Sequence, residues 1–288
     1  MAVETTIPGR PAARPAPVTR KVGALKVIRV IWQREMIVYI RDKARVISSL
    51  VFPVLLLVIF GEGLGQTVGG VGQGVNYRQF IFPGVVAQTI LFTATFSGTT
   101  IIWDRQFGFL REILVAPISR SAIGIGKLMG GASVALIQAS VVLLLAPVVG
   151  IHLSVGVILQ LLVVMSVMAL AMTGVGIALA SRVKSVESFQ MITQLTIMPS
   201  MFLSGMFFPV NNVPSWMEVL IKVNPITYGV AAIRTIALDK ELTAAAGISV
   251  TQVEVFGHTM STLESLGVLA VFGVLMLAIA VQSFQRSE

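Results

Sequence analysis

The chain has no cysteine, only two histidines, three tryptophans and three tyrosines, and just 12% of its 288 residues are charged. Lack of cysteine excludes a disulfide framework, a thiol nucleophile and a cysteine-based metal site. His152 and His258 stand apart from any carboxylate, so a histidine-centred metal site is not expected either. A soluble domain carries about 25% charged residues. With 55% hydrophobic residues and a mean hydropathy of +0.89, this chain belongs in a bilayer.

The apolar runs also lack central ionisable groups. Glu62 ends the first, while Lys127 and Glu187 stand near the starts of the third and fifth. Carriers driven by protons or sodium generally need such a group near the bilayer midplane. Energy for any transport is therefore expected from outside the membrane. The stretch "GIGKL" at 124–128 has the look of a phosphate loop, but Ser121 stands at the earlier glycine position. Leu128 follows the lysine where Ser or Thr is required, and no strand precedes it. The chain is thus expected to have no nucleotide site of its own. Gly126 and Gly130 instead form a GxxxG, readable either as a surface that lets helices approach closely or as glycines merely tolerated in a membrane helix. Ser166, Ser181 and Ser204 have no base that the sequence identifies, so no catalytic constellation survives. The spacing of Met165, Met168 and Met172 is that of packing residues.

What the sequence does contain is hydrocarbon in runs of membrane-crossing length, about 20 residues each. Six spans are expected, at about 46–64, 80–103, 121–149, 154–180, 187–207 and 264–284. If the N-terminus is cytoplasmic, 17 of the 21 Lys and Arg fall on the inner side, leaving only Arg78, Lys222, Arg234 and Lys240 outside. The positive-inside rule then puts both termini in the cytoplasm, and it explains the net charge of +8 without nucleic acid as partner. Residues 1–20 are rich in Pro, Ala and Arg and read as a disordered basic tail. Residues 22–43 place Leu25, Ile28, Trp32, Met36 and Tyr39 on one side at helical spacing. Too charged to span, they are expected to form an interfacial helix with Trp32 and Tyr39 at headgroup depth.

Two interruptions stand out. "DRQFGFLREILVAP" (104–117) has a helical pattern from Phe107 to Val115, with Phe107, Leu110 and Leu114 on one stripe. Pro117 disfavours helix at Ala116 and stops it there. The outer region, 208–263, holds two short helical patterns begun by prolines, expected to dip back towards the bilayer as half-helices.

These two blocks carry a family resemblance. "DRQFGFLREILVAPISR" (104–120) resembles the cytoplasmic signature of type-2 ATP-binding-cassette (ABC-2) transporter permeases, especially the daunorubicin-resistance-like branch. "SGMFFPVNNVPSWMEVLIKVNPITYGVAAIR" (204–234) is similar to the outer segment of that family, with its Phe-Pro, Pro-x-Trp and Asn-Pro-x-Thr-Tyr. The resemblance covers nearly everything after residue 20 and makes 21–288 one transmembrane domain. It implies an all-α membrane protein that homodimerises, each copy resting on a separate P-loop ATPase that binds the ATP and Mg; none is bound by this chain.

In that picture 104–117 is a coupling helix. Arg105, Arg111 and Glu112 face the ATPase cleft, Phe107 and Leu110 pack into it, and Pro117 ends it. The outer block becomes two re-entrant helices broken by Pro209, Pro214 and Pro225. Trp216 belongs to its signature, and Asn224 and Tyr228 are candidates to bond freed backbone groups. The branch implies export of an amphipathic drug or lipid across the cytoplasmic membrane of a prokaryote. The alternatives are a lipid-linked polysaccharide exporter, for which the chain has few aromatics to stack on sugars, and a non-transporting scaffold or sensor that binds an ATPase.

Overall fold

A computed structural model describes residues 23–64, 76–108, 118–208, 213–238, 254–255 and 258–286. Helices dominate: α1 (Ala24–Arg41), α2 (Lys43–Val58, running into a π-helical turn Ile59–Leu64), α3 (Tyr77–Phe96), α4 (Thr99–Gln106) and α5 (Arg120–Leu143). After a 3-10 turn at Ala146–Val149 come α6 (Val155–Arg182), α7 (Val186–Leu203), α8 (Ser215–Val223), α9 (Pro225–Ala237) and α10 (Thr262–Arg286). The expected all-helical fold is what the described residues show, with one small addition. Strands β1 (Glu254–Val255) and β2 (His258–Thr259) pair antiparallel just before α10.

Four of the described helical segments are long and apolar enough to cross a membrane: Tyr77–Gln106, Arg120–Leu143, Val155–Arg182 and Thr262–Gln282. A fifth is added if Ala24–Arg41 and Val46–Gly61, bent by 71°, count as one broken span. The chain is a multi-pass membrane protein, but six spans are more than the described residues establish. The shortfall at the expected fifth span has a plain cause. Helix α7 carries Glu187, Gln190, Thr193, Gln194, Thr196 and Ser200 among its apolar residues, which lowers its apolarity.

Local chemistry sets the helix ends. Ser154 and Ser185 accept hydrogen bonds from the backbone N–H groups of Val157 (3.4 Å) and Ser188 (3.1 Å), capping α6 and α7. Asn224 does the same for Ile226 at 3.1 Å, with Pro225 at the first helical position of α9. With 28 residues, α6 is about 42 Å long at 1.5 Å per residue, more than the hydrocarbon thickness.

Helix α3 runs through the centre, buried almost without a break from Phe80 to Leu91. Around it Phe80, Phe82, Leu161, Met165, Met168 and Leu269 form the larger core, so the methionines are packing residues. A second core joins Val27 and Ile31 of α1 to Ile101, Ile123, Ile177 and Phe189. Between the two, α3 and α6 touch backbone to backbone. A Cβ at Gly176 would overlap the Thr95 carbonyl oxygen, and one at Gly98 would overlap that of Gly176. Some polar groups inside the bundle pair across helices. The Thr93 hydroxyl donates to the Gln138 amide oxygen, and the Gln138 amide donates to the Ser49 hydroxyl, linking α2, α3 and α5.

Candidate functional site

The loop between α4 and α5 is the first candidate. Helix α4 ends at Gln106, and Phe107 follows as its cap, 83% exposed. Gly108 takes φ +77°, the left-handed conformation that terminates helices. The helix expected from Phe107 onward therefore does not begin there; its first two residues are the end of the preceding one. Leu110, Arg111, Glu112 and Pro117 lie outside the described residues. Arg105 points sideways, its Nη1 donating to the Val183 carbonyl at 3.0 Å, which ties the end of α4 to the link between α6 and α7.

Beside the stems of this loop lies a cluster that sequence reading missed. Arg34 of α1 grips Asp104 with two nitrogens, at 2.6 Å to Oδ1 and 3.2 Å to Oδ2. Lys127 Nζ stands 2.5 Å from Asp104 Oδ2 and 2.7 Å from Glu35 Oε1, and it donates to the Thr100 hydroxyl at 3.2 Å. The side chains of Lys127 and Asp104 are only 4% and 7% exposed. Two cations and two carboxylates are thus neutralised together among apolar side chains. Buried charges are tolerated only when paired and hydrogen-bonded.

The GxxxG glycines explain how α1 comes so close. A Cβ at Gly126 would lie 2.8 Å from Ile31 Cβ, and one at Gly130 would lie 2.7 Å from Glu35 Cβ. Of the residues expected on one face of α1, Leu25 is 84% exposed, Ile28, Trp32 and Met36 are half-buried and Tyr39 is buried, alongside Val27 and Ile31. Trp32 donates to the Ser133 hydroxyl at 3.0 Å, which ties that face to α5. A lysine set between those glycines was the readable sign that an acidic partner must come near.

The second candidate is the region of α8 and α9. Asn224 Nδ2 donates to the Ser200 carbonyl at 2.6 Å, which is free because the Ser204 N–H bonds Met201 instead. The Tyr228 hydroxyl donates at 2.7 Å to Lys222 O in the last turn of α8. Pro214 caps α8, Pro225 opens α9, and Trp216 is 66% exposed. Pro209 lies outside the described residues. Arg234, 3% exposed, donates to Gly205 O at 2.7 Å and lies 4.2 Å from the Phe80 ring centre. Tyr77 completes the brace by donating to Phe207 O at 2.8 Å.

A cavity of about 860 Å³ opens between the start of α6, the end of α9 and the start of α10. Ile151, Val164, Leu238 and Leu266 line it together with Gln160 and Thr235. Among the described residues no group of three or more His, Asp or Glu is placed to hold a metal.

Comparison with known proteins decides what these helices are. Residues 26–238 match the model of the ABC-2 type transporter family. The chain belongs to that family. Its relatives are permeases and related membrane proteins. Nodulation protein J of Rhizobium leguminosarum bv. viciae is 26% identical over 227 residues, 78% of this chain and 86% of that one. A transport permease named ycf38 in Cyanophora paradoxa is 29% identical over 212 residues, 71% and 72% of the two chains. The inner membrane transport permease YadH of Escherichia coli is 25% identical over 216 residues, 72% and 81%. ABC-2 permeases generally work with an ATPase subunit. This chain is therefore a transport permease of the ABC-2 family.

Proposed function

We propose that the permease exports an amphipathic drug or lipid across the cytoplasmic membrane of a prokaryote, both termini inside, driven by a separate P-loop ATPase that binds the ATP and Mg. The observation that carries this reading is the loop after α4. Exposed Phe107 stands at its entrance, and family-like residues Leu110, Arg111, Glu112 and Pro117 follow it. A large apolar ring projecting at the rim of a membrane bundle fits a partner's pocket. Arg105 braces the base of this contact through Val183. ATP-driven closure of the partner would press on the loop and move the helices attached to it.

A homodimer is the working unit in this reading. Helix α7 buries only a narrow stripe of Phe189, Thr193, Ile197 and Met201, while Gln190 and Gln194 are exposed. Uncovered amides are costly in hydrocarbon, so a second copy or a wet path belongs against them. Inside the bundle, the buried side chains of Gln88, Thr95, Thr173 and Thr193 have polar atoms without a hydrogen-bond partner. Such groups supply a polar lining when helices part. Helices α8 and α9 form a re-entrant cap at the outer side, with Pro209, Pro214 and Pro225 as its breaks and Asn224 and Tyr228 as its ties.

The cavity beside α9 favours an amphipathic substrate over a sugar polymer. Among the described residues, its lining mixes aliphatic side chains with single polar groups and includes no Phe, Tyr or Trp. Reconstituting the permease with its ATPase in vesicles and following a fluorescent lipid and an amphipathic drug tests the reading. Outward movement is expected with ATP and should survive collapse of proton and sodium gradients. ATP-dependent movement of neither probe, with the ATPase bound, would favour the scaffold instead.

A further inference from the structure

The salt bridge between Asp104 and Lys127 closes the polypeptide on itself. Asp104 lies three residues before Phe107, and Lys127 lies eight after Ser119. Their contact at 2.5 Å therefore pins the two stems of the 107–119 loop to each other. Arg34 and Glu35, adjacent on α1, take up the other side of the same pair at 2.6 and 2.7 Å. Four charges thus join three separate elements where the loop leaves the bundle and returns to it. Gly126 and Gly130 bring α1 near enough for this to happen.

Holding three helices together does not require ions. Apolar side chains of similar volume often hold a core as well or better, because burying charge costs free energy. What a bidentate Arg–carboxylate and a shared lysine add is direction and register, since they fit in one geometry only.

We propose that Arg34, Glu35, Asp104 and Lys127 form a transmission clamp, which makes α1 and both loop stems move as one body when the loop is displaced. The clamp rests on the reading of the loop as the ATPase contact. Asp104 and Lys127 are positioning residues: they touch neither the ATPase nor the substrate, but fix the base from which the loop acts. The clamp turns a push on a short loop into a shift of α1, α4 and α5 together.

Because the chain has no cysteine, spin labels can be placed without background at Gln106→Cys at the end of α4, paired either with Met129→Cys on α5 or with Gln33→Cys on α1. Narrow distance distributions are expected for the otherwise wild-type chain. Lys127→Met should broaden the α4–α5 distribution, while Lys127→Arg keeps it narrow. In the complex, Lys127→Met should still copurify with the ATPase but move about tenfold less substrate per ATP hydrolysed. Lys127→Arg should retain most of the coupling, which a purely space-filling role for the lysine would not predict. Should Lys127→Met not fold, Arg34→Gln, at a partly exposed side chain, is read at the α1–α4 pair, whose distribution it should broaden. A distribution of wild-type width, or wild-type coupling in a folded variant that binds the ATPase, overturns the clamp. Failure of the wild-type chain to bind any ATPase, with the label distances behaving as expected, would overturn the reading of the loop and leave the clamp standing.

Discussion

Two regions of the permease are held together by opposite means. Around Asp104, side chains from α1, α4 and α5 bind one another, charge to charge. Around α8 and α9, Asn224, Tyr228, Arg234 and Tyr77 all donate to backbone carbonyls, and the Lys222–Glu218 ion pair lies within α8 rather than between helices. The second arrangement repairs the carbonyls left unbonded where helices stop, fixing the shape of an irregular turn. The first joins helices that are each complete on their own. On the functional reading proposed above, a cap that keeps its shape and a joint that passes on a movement call for these two kinds of bond.

The contrast can be broken from either side. The largest effect is expected from Asp104→Ala, which removes the carboxylate shared by Arg34 and Lys127 and leaves buried Lys127 with Glu35 alone. Breaking a buried ion pair costs about 3–5 kcal/mol, so thermal unfolding in detergent should show a marked loss. Asn224→Ala should come next. It strips a donor from the Ser200 carbonyl and the cap from Ile226, and an unsatisfied buried group costs about 1–3 kcal/mol. Tyr228→Phe should be mildest, losing one hydrogen bond to Lys222 O worth about 1 kcal/mol. If Asn224→Ala uncoupled ATP hydrolysis from transport as strongly as Lys127→Met while Lys127→Met affected only stability, the roles assigned to the two regions would be reversed.

Much of this was written in the sequence, and the omissions follow from physics. Long apolar runs announced the helices Tyr77–Gln106, Arg120–Leu143, Val155–Arg182 and Thr262–Gln282, because composition alone places such segments in a membrane. The GxxxG of α5 was legible as a packing surface, but not its partner. Arg34 and Asp104 are 70 residues apart, and Glu35 and Lys127 are 92 apart. No periodicity within one helix reports a contact of that range, so these charges read as ordinary residues of a cytoplasmic surface. The spacing of Trp32 marked a face of α1, but its hydrogen bond to Ser133 of α5, 101 residues away, was equally out of reach of local periodicity.

The most direct test of the whole account is ATP-driven export by the reconstituted permease and ATPase, compared between wild type and the loop variants Arg111→Ala and Glu112→Ala. Both variants are expected to keep the membrane fold and to lose ATPase binding or its stimulation, and transport with it. If both copurify with the ATPase and export at the wild-type rate, the loop after α4 is not where the ATPase takes hold.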